Sequence, residues 1–175
     1  MKDYSTKNII NIALTGHATT GKTTLAEAMA CNAGIVHKMG SIDTGTTVSD
    51  YREYEIENQH SISLTLLNFE WQEKKINVLD SPGYLDFHGE VKSAMRVADL
   101  TGVTISATDG IDIGTELCCS YAEKDYGIPK LFIINMTDKE QANYDTVLSA
   151  LQDRYGRTVF PFTLPVNQGT GFNQV

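Results

Sequence analysis

Only three cysteines, four prolines and one tryptophan occur among the 175 residues. Cys31, Cys118 and Cys119 form no Cys-x-x-Cys pair and no Cys/His grouping at zinc-ligand spacing, so a disulfide scaffold and a zinc site are excluded. A reduced, intracellular setting is expected. No apolar run approaches a membrane span, and no apolar signal-peptide core follows Met1, so a soluble cytoplasmic protein with no membrane partner is expected. Cationic charge is also scarce. Fourteen Lys and Arg against twenty-two Asp and Glu give a net charge of −8, which disfavours direct DNA binding through bulk charge. A bound phosphate would need a local cradle of backbone N–H groups.

What is present is the composition of a folded domain, with 41% hydrophobic and 21% charged residues. No internal repeat or low-complexity tract occurs. Residues 8–14 are rich in β-branched side chains and read as a buried strand, followed by a helix over 22–32 with Leu25, Ala28, Met29 and Cys31 on its apolar face. Residues 36–61 are polar and aperiodic, too long for an idle connector, and so either functional or partly disordered. Strands are expected over 62–71 and 75–79 as antiparallel neighbours, then a helix over 87–97, a strand over 102–107, a helix over 114–126, a strand over 130–135, a helix over 144–155 and a last strand over 158–164. This alternation indicates an α/β fold, a mostly parallel sheet with one antiparallel strand and helices on both faces.

Gly16-His17-Ala18-Thr19-Thr20-Gly21-Lys22-Thr23 fits GxxxxGK[ST] and lies between a strand and a helix, the context that motif requires. This makes the fold a P-loop NTPase. In such a loop successive N–H groups, those of Thr24 and the helix start included, turn towards a phosphate, Lys22 adds a mobile ammonium and Thr23 a hydroxyl for Mg²⁺. A second element, Asp80-Ser81-Pro82-Gly83, follows an apolar strand; Asp80 can hold the metal through water and the Gly83 N–H can reach a γ-phosphate. The third, Asn135-Met136-Thr137-Asp138, ends another apolar strand. Two guanine N–H donors match the Asp138 carboxylate, and adenine lacks both, so GTP and GDP are expected rather than ATP.

These three elements in this order resemble translational GTPases over essentially the whole chain, most closely elongation factor G and its elongation factor G-like relatives. Residues 37–51 resemble the opening of the first switch of that family, and Asp80 through Phe87 with Glu90-Val91 resemble its second. The resemblance implies a GTP-hydrolysing domain of a ribosome-associated translation factor, which would meet the ribosome through the full-length protein. It also implies that residues 1–157 are a G domain lacking its last guanine-binding loop, since Ser149-Ala150 falls inside a helical pattern, and that 158–175 begin an inserted subdomain. Thr19 stands where an aspartate is common. Ser63 stands where the first switch has a threonine and keeps a hydroxyl for Mg²⁺. Tyr84 replaces the histidine that orients the attacking water, and Met136 replaces a lysine whose stem packs on the base. Tyr84 and Lys22 are the expected catalytic residues. An alternative is a degenerate G domain that binds nucleotide weakly or serves as an interaction module. His17, His37, His60 and His88 are expected to be surface or loop residues, and Cys118 and Cys119 to pack on different faces of one helix.

Overall fold

The computed structural model describes residues 3–175. Its five strands, β1 (Ile9–Gly16), β2 (Thr65–Trp71), β3 (Lys74–Asp80), β4 (Leu100–Ser106) and β5 (Lys130–Asn135), form one sheet in the order β2-β3-β1-β4-β5. Only β2 and β3 pair antiparallel, as the sequence predicts. They are joined through Gln72 and Glu73, both left-handed at φ 47° and 63°, a two-residue hairpin turn made without glycine. The sheet extends from β1 first through β3 to β2 and then, on the other side, through β4 to β5. The loop after β1 therefore opens at the reversal of strand order, where α/β sheets bind ligands.

Alternation along the strands decides which helix covers which face. Leu14, with Val78, Ile76 and Phe69 beside it, packs under Ala26, Leu25 and Met29 of α1 (Lys22–Asn32). The opposite face carries Ala13 and Leu79 beneath α3 (His88–Val97) and α4 (Ile113–Ser120). Val103 and Ile105 on that same face lie beneath Cys119 of α4 and Val147 and Leu151 of α5 (Tyr144–Tyr155). Cys118 and Cys119 thus enter separate parts of the core, as expected for neighbours on a helix.

Four expectations need correction. The strand before the hairpin starts at Thr65 and not at 62, because the N–H groups of Ile62 and Ser63 donate to Glu55 Oε1 and that of Leu64 to Glu90 Oε2, which removes them from the ladder. The helix expected over 114–126 is regular only to Ser120 and finishes as a π-helical turn over Tyr121–Tyr126. Residues 158–164 form no strand. Phe160 and Phe162 are 73% and 89% exposed, Pro161 has no N–H to donate, and Val159 turns back to Gly156 O behind α5. His88, finally, is buried within α3 and is neither a surface nor a loop residue.

Residues 36–61 are built around buried carboxylates. Glu27, 1% exposed on α1, accepts from Gly40 N at 2.8 Å and Val48 N at 2.9 Å. Short α2 (Glu53–Asn58) carries Glu55, also 1% exposed, to the backbone of Ile62 and Ser63. A sequence with little apolar content is held here by charge-assisted hydrogen bonds rather than by a core.

Leu14 is fully buried on the central strand, and Leu14→Ala should cost about 2–5 kcal/mol of folding free energy by urea denaturation. A loss below about 1 kcal/mol, the size expected at a site away from the core, would contradict this packing.

Candidate functional site

Gly16 through Thr23 curl between the end of β1 and the first turn of α1. Gly21 adopts φ +84°, and an added Cβ there would lie 2.4 Å from Asn135 Nδ2. That amide donates to Thr20 O at 2.8 Å, so Asn135 fastens the end of β5 to the phosphate loop. Thr20 Oγ1 adds bonds to His17 O at 3.0 Å and Thr104 Oγ1 at 2.7 Å. Thr19 is held left-handed at φ 63° between Ala18 and Thr20, a conformation that costs a non-glycine residue energy and persists because its surroundings impose it.

Lys22 is only 6% exposed and its ammonium donates to His17 O at 2.6 Å and Gly16 O at 3.2 Å. Burial lowers its pKa, and the carboxylates of Asp80 and Asp50 oppose that shift. Gly83 presses against the same ammonium: a Cβ there would fall 2.5 Å from Lys22 Nζ and 2.6 Å from Ala18 N. Only glycine allows the turn after β3 to close on the phosphate loop.

Oxygen donors converge beside Lys22. Asp80 Oδ2 accepts from Ser49 Oγ at 2.5 Å, whereas the buried Oδ1 has no partner. Asp50, 4% exposed, likewise leaves Oδ2 buried and unpartnered. Thr23 Oγ1 lies 3.0 Å from Ser61 Oγ. Burial is the main cause that pushes the Asp80 carboxyl up to about 6, against the hydroxyls of Ser49 and Thr23 and the Lys22 ammonium, and burial also raises Asp50. Two buried carboxylate oxygens without partners, next to two hydroxyls, are the hard donor set that suits Mg²⁺. Ser63 stands apart from it, taken up by Arg52 Nη1. The hydroxyl placed against Thr23 belongs to Ser61.

Lys22, Thr23, Asp50 and Ser61 line a cavity of about 260 Å³ with Ala18, Thr24, Gly83, Tyr84 and Met136, and Asp80 lies buried behind that lining. Tyr84 is 40% exposed at its rim, and its ring centroid lies 4.7 Å from that of His60. Met136, left-handed at φ 60°, turns towards the loop, while Asp138 is exposed beyond it and outside the cavity lining. A larger groove of about 610 Å³ runs along β5 beneath residues 158–165. Among the described residues it brings together no convergent set of catalytic groups.

Asp50, Ser49, Ser61 and His60 belong to this site without having been singled out for it in the sequence. Each sits in an aperiodic stretch, and only the buried bonds of Glu27 and Glu55 show where that stretch folds. A polar run too long for a connector and the resemblance of residues 37–51 to a first switch were the available signals, and neither singled out a residue.

Residues 7–174 match the family described as the elongation factor Tu GTP-binding domain. An elongation factor G-like protein of Mycobacterium tuberculosis is 37% identical over 159 residues, which are 91% of this chain and 22% of that protein. Elongation factor G 2 of Borreliella afzelii is 35% identical over 167 residues, 95% of this chain and 25% of its own length. A crystal structure from Thermus thermophilus superposes with a TM-score of 0.88 at 32% identity, covering 94% of this chain and 24% of that one. The chain thus spans about a quarter of the length of these relatives.

Asp80 provides a test that needs no ligand. Its carboxyl titrates near 6 instead of the ordinary 3.8, so the folded chain binds this proton more tightly than the unfolded chain. The penalty is complete above about pH 6 and is relieved as pH falls through that window, on the order of 3 kcal/mol in all. Asp80→Asn should therefore stabilise the nucleotide-free chain near pH 7 and flatten its stability between about pH 4 and pH 6 in denaturant titrations. An Asn variant less stable than the parent at neutral pH would contradict the assignment.

Proposed function

The chain belongs to the elongation factor Tu GTP-binding domain family, and from that membership we propose that it binds GTP and GDP with Mg²⁺ and hydrolyses GTP as the G domain of an elongation factor G-like translation factor. The complete protein would act on the ribosome in the cytoplasm. One observation carries the reading: Gly83 closes on the Lys22 ammonium at the phosphate loop, with the buried Asp80 carboxylate acting electrostatically on the same ammonium.

The backbone N–H groups from Gly16 to Thr24 would surround the β-phosphate, with the amino end of α1 contributing its positive end. Lys22 would exchange its bonds to Gly16 O and His17 O for phosphate oxygens. This exchange places a charge-assisted bond where charge grows during transfer. Thr23 and Asp80 would hold Mg²⁺ with Asp50 nearby, and either Ser63 or the better-placed Ser61 would add a switch hydroxyl. A cation held there would supply neutralisation of phosphate charge. Gly83 N–H would meet the γ-phosphate, and Tyr84 beside it would help orient water for in-line attack. At the base end Met136 would pack on guanine and Asp138 would accept its two N–H donors, while Asn135 keeps that strand end against the phosphate loop.

Equilibrium binding of a fluorescent GDP tests the reading. Lys22→Ala should weaken affinity by on the order of 2–3 kcal/mol with the fold retained, and unchanged affinity would remove the phosphate assignment. Met136→Lys should tighten GDP binding, and Asp138→Asn should weaken it, because an amide cannot accept both guanine donors. If Asp138→Asn binds GDP as tightly as the parent, this carboxylate does not read the base.

A further inference from the structure

The attacking water needs an acceptor as well as a neighbour. In-line attack requires one lone pair of the water aimed at phosphorus, so its O–H bonds must be directed elsewhere. A tyrosine hydroxyl at this position can donate or accept, and a neutral imidazole beside it adds an sp² nitrogen that accepts in the ring plane. The ring after Gly83 is a tyrosine, and the nearest ring to it is an imidazole from a different part of the chain.

His60 arrives from the segment between α2 and β2. Its centroid is 4.7 Å from that of Tyr84, with the planes inclined at 59°, and 6.3 Å from that of Phe87. Both His60 and Tyr84 line the 260 Å³ cavity that contains Lys22, Thr23, Ser61 and Gly83. The neighbouring Ser61 is tied to Thr23 at 3.0 Å, which anchors the backbone of His60 to the phosphate loop. Among the described residues the one bond to its ring is a long contact of 3.3 Å between Nδ1 and the adjacent Ser61 O. The imidazole is therefore held in place by aromatic contact and by its backbone, with weak hydrogen bonding of its own.

We propose that His60 supplies the nitrogen that accepts a hydrogen bond from the attacking water, with the Tyr84 ring as the surface that sets its position. This rests on the GTP-hydrolysing reading above. The water oxygen forms a bond to the γ-phosphorus, and the bond from that phosphorus to the β–γ bridging oxygen breaks with its electron pair leaving on GDP. The protons of the water pass to the released phosphate and to solvent. His60 orients one of them and need not remove it. In this arrangement a residue of the polar segment between α1 and β2 provides what the commoner histidine after Gly83 would provide, and hydrolysis becomes competent only when residues 59–61 lie against the phosphate loop.

The test compares the parent chain with His60→Gly in single-turnover phosphate release, with GTP affinity measured separately on each. His60→Gly should keep GTP affinity within about twofold and slow release by about tenfold or more, and added imidazole should restore part of the rate by occupying the space the side chain leaves. Release as fast as the parent overturns the proposal, and so does a slow rate that imidazole does not change, which would mark a structural role. Should His60→Gly fail to bind GTP, His60→Leu, which keeps bulk but offers no acceptor, decides: a lowered rate at retained affinity supports the role, and an unchanged rate or a loss of binding overturns it. A parent that binds GTP but releases no phosphate overturns the role of His60 and leaves the nucleotide site intact. A parent that binds no GTP removes the underlying reading as well.

Discussion

Everything at the carboxyl end of the sheet depends on one buried ammonium. Lys22 stands in an acidic protein, almost without solvent, with its charge shared between two carbonyls of its own loop and the field of Asp80 and Asp50. Desolvation is the leading effect on it, which means the surrounding oxygens offset only part of the cost of burying the cation. The same holds with reversed sign for Asp80, whose burial outweighs the nearby hydroxyls and ammonium. A site that keeps charges of both signs in such incomplete balance gains from any ligand that supplies phosphate oxygens to the one and a hard cation to the other.

That imbalance is connected to the polar segment between α1 and β2 by individual bonds. Ser49 reaches Asp80, Ser61 reaches Thr23, and Glu27 and Glu55 hold the backbone on either side. Leu64 is fixed by Glu90 of α3, so the same stretch is tied to the helix that follows Gly83. Few of these contacts are apolar. A segment held by a handful of charge-assisted bonds rearranges when the charges at its anchor points change, and a packed segment would not.

The alternation of strands and helices, the single antiparallel pair and the helix bounds 22–32 and 144–155 were readable from pattern and flanking turns, but the face of the first helix was not: it buries Ala26, Glu27 and Ala30, while Leu25, Ala28, Met29 and Cys31 are only half-buried. The phosphate loop was readable because its spacing encodes a turn. Residues 158–164 misled for the same reason in reverse: alternation promises a strand only where a partner offers an edge, and Phe162 has none. Which of Ser61 and Ser63 lies against Thr23 was not readable from spacing, since it depends on Glu55 taking the N–H of Ser63 and Arg52 taking its hydroxyl. His60 and Asp50 were hidden for a related reason, lying in a stretch whose shape is set by carboxylates distant in sequence.

The central claim is that the incompletely compensated charges around Lys22 and Asp80 form a site for a guanine nucleotide with its cation. Calorimetric titration of the unaltered chain with GDP and with ADP, each with and without Mg²⁺, tests it most directly. Saturable binding of GDP that strengthens with Mg²⁺, with ADP far weaker, is the predicted result. Equal affinity for the two nucleotides, or GDP binding indifferent to the cation, would contradict it.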